Sequence, residues 1–559
     1  MRVGRRGFLV MGALLGASLS MQAWDGRLTG SVQSDVLMPT NYEAYDSRFL
    51  TNTYADLTFR STYLDAGTRF EYLQHPLPGF EKDFKGWGLP HFHLTGHLLG
   101  KVELTVGDVY DQFGSGLVFR TYESRPLGID NALRGGRLVV SALPGVTLKM
   151  LGGTQRRYWQ HNDGYVAGGE LKLNIDQWIN SMSAYESQLM LGFSLVNKHE
   201  PAEGAPTMLR TETDAEGFPQ LNLYTLRVPE DVQAGDMRLV YQHGSWNMLA
   251  EYALKSHDPS ADNGWIYRHG NALLLSSSWS KTGMSALVQV KRSEDMAFRS
   301  RRDMVGLSSF INHLPAFTMQ HTYALAALYP YATQYAPGEW AFQAEMAYTL
   351  PKNSPLGGRY GTALSLHASH IRSLKEQVNE SASQQANRLE MGTAGNPTAF
   401  WPGEQVYYQD INVQLTKRIS RGTKINLMYM NQLYDKTVVE GEGGMIHSHV
   451  FVAEGRFNLK RSMVLRCEGQ YLHTRQDEGD WWYALAELSL RTAWMLSVSD
   501  MYNPQGSEHY ARAGVTWTGG AHRVQAAYGR TRAGFNCAGG VCRYVPESKG
   551  WSLSYNYVF

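Results

Sequence analysis

The sequence predicts an all-β chain: a single large antiparallel transmembrane β-barrel of about 26 strands, within a range of 24–28, with long external loops. Three observations carry this reading. Segment after segment alternates apolar and polar residues with a period of two. The connections between these segments alternate between short and long. The composition is aromatic-rich, with Tyr 32, Phe 20 and Trp 14, yet mean hydropathy is −0.35 and 18% of residues are charged. That mixture excludes a bundle of membrane helices and suits a barrel whose inner side is polar. A net charge of +1 singles out no acidic partner.

The chain opens MRVGRRGFLVMGALLGASLSMQA. Arg2, Arg5 and Arg6 precede an apolar run from Gly7 to Leu19 and then small residues, the layout of a secretory signal peptide. Cleavage fits after Ala23 or after Ser20. The apolar run falls short of the ~20 residues of a spanning helix, which disfavours a membrane anchor. The expected division is residues 1–23 as signal peptide and 24–559 as barrel.

Further along, HFHLTGH puts His91, His93 and His97 on one strand face and Phe92, Leu94 and Leu98 on the other. Neutral imidazoles suit zinc, copper or nickel. No Cys or carboxylate stands at a completing spacing, so a polar lumen lining is the plainer reading.

The run GDVYDQFGSGLVFRTYESRPLGIDNALRGGRL, residues 107–138, breaks the alternation. It is expected to join an upward strand ending near Val109 to a downward one starting near Gly135, with a β-like piece, LVFRTY, inside it. Asp108, Asp111, Arg120, Glu123, Arg125, Asp130 and Arg134 are the candidate residues of a constriction if the segment folds into the lumen. An ordinary hairpin packed on itself is the other reading. This stretch resembles the N-terminal signature of an uncharacterised family of large outer-membrane barrels from Bacteroidota. The resemblance implies a barrel in the outer membrane of a Gram-negative cell; it brings no catalytic residues and no established role.

The middle of the chain repeats the strand pattern. Met284, Ala286, Val288 and Val290 alternate with Ser285, Leu287, Gln289 and Lys291; Trp340, Phe342, Ala344, Met346 and Tyr348 alternate with Ala341, Gln343, Glu345 and Ala347. Ile411, Val413 and Leu415 alternate with Asp410, Asn412 and Gln414, and Leu465, Cys467 and Tyr471 with Arg466, Glu468 and Gln470. An Arg or Lys on the lipid face at mid-bilayer costs ~2–4 kcal/mol, so the mid-strand charges Glu345, Arg466 and Glu468 are expected to face a lumen. A soluble β-protein gives the same alternation; the signal peptide and the C-terminal Phe559 together favour the barrel over it. Arg299, Arg301 and Arg302, with Lys291 and Arg292, form a basic loop, and Arg120, Arg125, Arg134 and Arg137 a second basic set. Either could attract anions or contact lipopolysaccharide phosphate; the neighbouring Glu294, Asp295, Glu123 and Asp130 weaken both ideas.

Read back from Phe559, connections alternate: long over 531–549, short at Gly519-Gly520, long again over 500–509, and so on past long excursions at 371–406, 293–302, 255–269 and 198–234. The turn over 174–186 is longer than the rule likes. Cys537 and Cys542 frame CAGGVC, which reads as a disulfide in an oxidising compartment, while Cys467 stands alone on an apolar face. In WSLSYNYVF, Trp551, Leu553, Tyr555, Tyr557 and Phe559 share one face. This resembles the last strand of Gram-negative outer-membrane barrels. It implies that Trp551, Tyr555, Tyr557 and Phe559 form the signal read by the barrel-assembly machinery.

For catalysis, His447–His449 is the only tempting piece, and nothing places a nucleophile, base and orienting group together; an enzyme is not expected, nor a cofactor. No basic segment interleaves with aromatics, so nucleic acid is not an expected partner. The expected function is a porin-like channel for small solutes. The alternative is a non-conducting scaffold or accessory of an outer-membrane secretion or surface complex, motivated by the loops at 198–234 and 371–406. Expected partners are outer-membrane lipid and lipopolysaccharide, the barrel-assembly machinery, and other outer-membrane or secretion proteins. Nothing resembling a TonB box precedes the first strand, so TonB-dependent import is not expected.

Overall fold

A computed structural model describes residues 26–41, 45, 47–202, 207–213, 216–377 and 395–559; the expected signal peptide lies outside the described residues. Twenty-four staves, each antiparallel to its neighbours in the chain, form one closed ring. They are β1 (Arg27–Pro39), β2 (Leu50–Arg60), β3 (Leu64–Leu73), β4 (Gly86–Leu98), β5 (Val102–Val109), β6 (Leu133–Leu143), β7 (Val146–Arg157) and β8 (Tyr165–Asn174). Next come β9 (Ser187–His199), β10 (Asp231–His243), β11 (Trp246–Lys255), β12 (Gly270–Lys281), β13 (Met284–Glu294), β14 (Gly338–Leu350), β15 (Thr362–Glu376) and β16 (Thr398–Arg418). The last eight are β17 (Thr423–Asp435), β18 (Met445–Lys460), β19 (Met463–Thr474), β20 (Trp481–Leu490), β21 (Trp494–Asn503), β22 (Arg512–Gly519), β23 (His522–Thr531) and β24 (Ser548–Val558). β1 closes on β24 from Ser31↔Val558 to Pro39↔Gly550, so among the described residues the ring has no open edge. Two-residue strands at Gln160–His161 and Glu508–His509 bring the sheet to 26 strands. The ring itself stands at the lower end of the expected range.

The alternation becomes two faces. Phe342, Ala344 and Met346 of β14 point out, while Gln343 and Glu345 point in, where Glu345 meets His367 across the pair. Short turns lie at one rim, such as residues 282–283, 461–462 and 520–521, and long connections at the other. The turn side has two longer members, 351–361 and 175–186, the latter holding the helix Asn180–Ala184. On the loop side the connection expected at 198–234 carries its own hairpin, Thr207–Thr213 with Pro219–Thr225. The excursion expected at 371–406 is shorter, because β15 runs to Glu376 and β16 begins at Thr398; residues 378–394 lie outside the described residues.

Two connections turn into the ring: 110–132, between β5 and β6, and 295–337, between β13 and β14. The second was expected as a loop only over 293–302. Neither becomes a stave. In 295–337, Pro315, Pro330 and Pro337 cannot donate to a ladder, and its apolar residues follow no period of two. Phe113, Leu117 and Phe119 of the first and Phe298, Ile311 and Leu325 of the second are fully buried. They pack on inward wall side chains from Leu133 on β6 round to Trp481 on β20, so the loop-side half of the lumen holds a hydrophobic core. Each such side chain contributes roughly 1.5–3 kcal/mol by leaving water. No described helix is long and apolar enough to cross a membrane.

Candidate functional site

The inward register brings the wall's charges to the loop 110–132, and most of the loop's charged residues answer them. Arg69 of β3 reaches Asp56 at 2.8 Å, Glu123 at 2.7 Å and Asp130 at 3.1 Å. Arg125 spans Asp56 at 2.7 Å and Glu123 at 2.6 Å and lies 4.5 Å over the Tyr54 ring. Arg156 of β7 pairs with Glu71 at 2.9 Å and with Asp130. Tyr110 donates to Asp130 at 2.8 Å; burial, with the Asp130 carboxylate beside it, holds its phenol well above the ordinary range and therefore protonated. Asp111 takes Arg137 at 2.5 Å and Lys149 at 2.6 Å. Arg120 instead lies 4.4 Å over the Tyr122 ring. Further along the same loop, Gly114 N donates to Glu170 at 2.9 Å and Ser115 N to Glu251 at 3.1 Å.

The structure corrects two constriction candidates. Asp108 and Arg134 sit in the outward register and pair with each other at 2.8 Å, with Arg134 4.7 Å over the exposed Phe92 ring. They belong to the wall. LVFRTY forms no strand beyond one bridge, Gln112↔Arg120, because Leu117, Val118 and Phe119 face the core.

The loop 295–337 is anchored in the same way. Lys291 pairs with Glu339 at 2.7 Å, both fully buried, and donates to Pro315 O at 2.6 Å. Tyr323 donates to Glu454 at 3.1 Å, His321 meets Asp410 at 2.5 Å, and Gln432 donates to Tyr329 O at 2.9 Å. The two loops meet directly: Arg120 N donates to Ile311 O and His313 N to Gly116 O, both at 2.8 Å. The basic loop read from the sequence is not free. Arg299 pairs with Asp262, Arg301 with Asp303 at 2.6 Å, and Arg302 with Glu200 at 3.0 Å. The acidic partners come from other loops or from close by, a pairing that sequence neighbours alone do not reveal.

The core stops short of one arc. From β22 to β2 the inward face mixes polar, half-buried residues such as Ser31, Gln33, Asp35, Gln525, Ser552 and Ser554 with the buried Leu50, Asn52, Tyr54, Thr516 and Ala527. A cavity of ≈ 430 Å³ separates this wall from the hairpin Gly534–Ala538 with Val541–Val545; Asp35, Arg512, Gln525, Asn536, Arg543 and Ser552 help to line it. Cys537 and Cys542 are bonded across that hairpin, whose Gly540 O accepts from Thr333 N at 2.9 Å. Arg543 lies 4.0 Å over the Phe80 ring, and burial pulls its guanidinium down.

His91, His93 and His97 share the inward face. His93 Nδ1 is 3.4 Å from His91 Nε2, and His97 is 3.3 Å from Asp65. Among the described residues no group of three or more His, Cys, Asp or Glu could hold a metal ion. Trp551 and Leu553 are exposed on the outer face. Phe559 exchanges backbone hydrogen bonds with Gly30 at 3.1 and 2.9 Å, its ring lying where a side chain at Gly30 would stand. Sequence reasoning missed the lumen-filling role of 295–337; the signal it carries is a dense aromatic and apolar run, Tyr323 to Tyr335, without alternation.

Comparison with known proteins adds a family and a set of folds. A family model described as "Family of unknown function (DUF6029)" matches residues 5–559. No curated protein sequence matches the chain. Among solved structures, the P pilus usher (PapC) translocation pore is 10% identical with a TM-score of 0.42, over 95% of this chain and 99% of that one. A mutant of the ferric enterobactin receptor (PfeA) from Pseudomonas aeruginosa is 9% identical with a TM-score of 0.41, over 95% of this chain and 80% of that one. OccK11 (OpdR) from Pseudomonas aeruginosa is 9% identical with a TM-score of 0.33, over 96% of each. Scores this low carry no functional conclusion.

Proposed function

The chain belongs to the DUF6029 family of unknown function, and on that premise we propose that it is an outer-membrane barrel that conducts small polar solutes past its inward loops. In this reading the long loops face outward, the turns face the periplasm, and the solute runs along the arc from β22 to β2. The observation that carries it is the cavity of ≈ 430 Å³ between that arc and the hairpin at 534–545, in a sector outside the hydrophobic core and lined by both polar and apolar residues. No catalytic, cofactor or nucleic-acid role is part of the proposal. Outer-membrane lipid, lipopolysaccharide and the assembly machinery are its proposed partners, and a Bacteroidota source belongs to the same proposal.

A second reading, a non-conducting scaffold for a surface or secretion complex, draws on the core that fills the rest of the loop-side lumen. Single-channel recording of the refolded protein in a planar bilayer separates the two. Small steady steps that scale with salt are expected. Silence from protein that shows the gel-mobility shift of a folded barrel would overturn conduction and leave the scaffold.

A further inference from the structure

Most charges inside the ring are paired, including Arg466 near the turn side, which meets Glu454, Glu468 and Glu487. Toward the loop side the same holds of Arg69, Arg156, Arg238 and Lys291. At the turn side, six basic residues occupy the inward register close to stave ends: Arg27 on β1, Arg60 on β2, Arg418 on β16, Lys424 on β17, Arg456 on β18 and Arg523 on β23. All six are exposed. Among the described residues none of them has a side-chain partner.

Their register makes this arrangement costly. Arg418 lies directly opposite Lys424, Lys424 directly opposite Arg456, and Arg27 directly opposite Arg60. Like charges facing each other across paired strands destabilise the sheet. Of the nearby carboxylates, Glu454, Glu468 and Glu487 converge on Arg466, Asp56 is held by Arg69 and Arg125, Asp35 accepts the Gln33 amide at 2.8 Å, and Asp65, directly opposite Arg60 on β3, lies 3.3 Å from His97. The turns joining β14 to β15, β16 to β17, β18 to β19 and β20 to β21 add further lysines and arginines and no carboxylate.

We infer that the turn-side vestibule takes small anionic solutes, carboxylate- or phosphate-bearing, which settle between the opposed cations of Arg418, Lys424 and Arg456 and of Arg27 and Arg60. A walled cleft of one sign focuses its field and raises the local counter-ion concentration by roughly 10-fold or more. An anion bridging two opposed cations also removes the repulsion that the register imposes.

The electrical test rests on the conduction reading, so it is paired with one that does not. In a zwitterionic bilayer under a KCl gradient, the reversal potential is expected to show chloride preferred over potassium. The preference should fade between about 0.1 M and about 1 M salt, as the Debye length shrinks from ~10 to ~3 Å. Replacing Arg418, Lys424, Arg456 and Arg523 by Gln should lower the permeability ratio several-fold, and Arg27→Gln with Arg60→Gln should lower it independently. Cation preference, or a ratio unmoved in both variants, overturns the inference. If the channel is silent, calorimetric titration of the folded protein with inorganic pyrophosphate decides. Saturable binding lost in the variants upholds the vestibule while conduction falls, and no binding overturns the vestibule too.

Discussion

His313 stands where the two inward loops touch, its backbone donating to Gly116 O at 2.8 Å. Burial first, then the nearby cations Arg120 and Lys291, pushes its imidazole down to about 3 from an ordinary value of 6.5. Between those two values the unfolded chain binds a proton that the folded chain refuses. Stability is therefore full above 6.5 and falls as pH drops, by about 1.4 kcal/mol per unit, until the folded pKa is reached. Thermal melts of the refolded barrel from pH 7 to pH 4 should show this acid limb flattened in His313→Gln, and an identical limb in the variant would sink the assignment. Nothing in the sequence marked His313, because its neighbours come from two other parts of the chain. The same holds for Lys291, whose place in a basic loop said nothing of Glu339, 2.7 Å away in the fold.

The staves were readable because each carries its own period of two, and β14 or β19 needs no knowledge of the rest of the chain to show an apolar and a polar face. The loop boundary near Val109 was readable for the same reason. The inward loops were not, since residues 295–337 satisfy their apolar side chains against a wall assembled from distant staves, and no local pattern encodes that. β13 and β14 pair in unbroken register from Met284↔Tyr348 to Glu294↔Gly338. Replacing residues 297–335 by a short Gly/Ser linker should leave the folded-barrel gel shift intact and raise conductance several-fold. A shortened protein that folds but conducts no better would show that the loop does not obstruct the lumen.

The ring as a whole is closed by β1 against β24 in unbroken antiparallel register. A circular permutant opened at residues 282–283, with Phe559 joined through a short linker to residue 26, should therefore refold from urea into detergent micelles with the normal mobility shift. In cells the same permutant should accumulate poorly in the outer membrane if Trp551, Tyr555, Tyr557 and Phe559 act as the assembly signal; normal accumulation would rule that role out. The two loops that fill the lumen also have a mechanical meaning. A ring of 24 staves encloses a wide lumen. Here the loop rooted between β5 and β6 and the loop rooted between β13 and β14 join at Arg120–Ile311 and Gly116–His313, and the second reaches on to Gln432 of β17 and Glu454 of β18. Together they form a strut across the ring. Such a strut is expected to hold the outline of the ring and, with it, the width of the unfilled sector beside β22–β2.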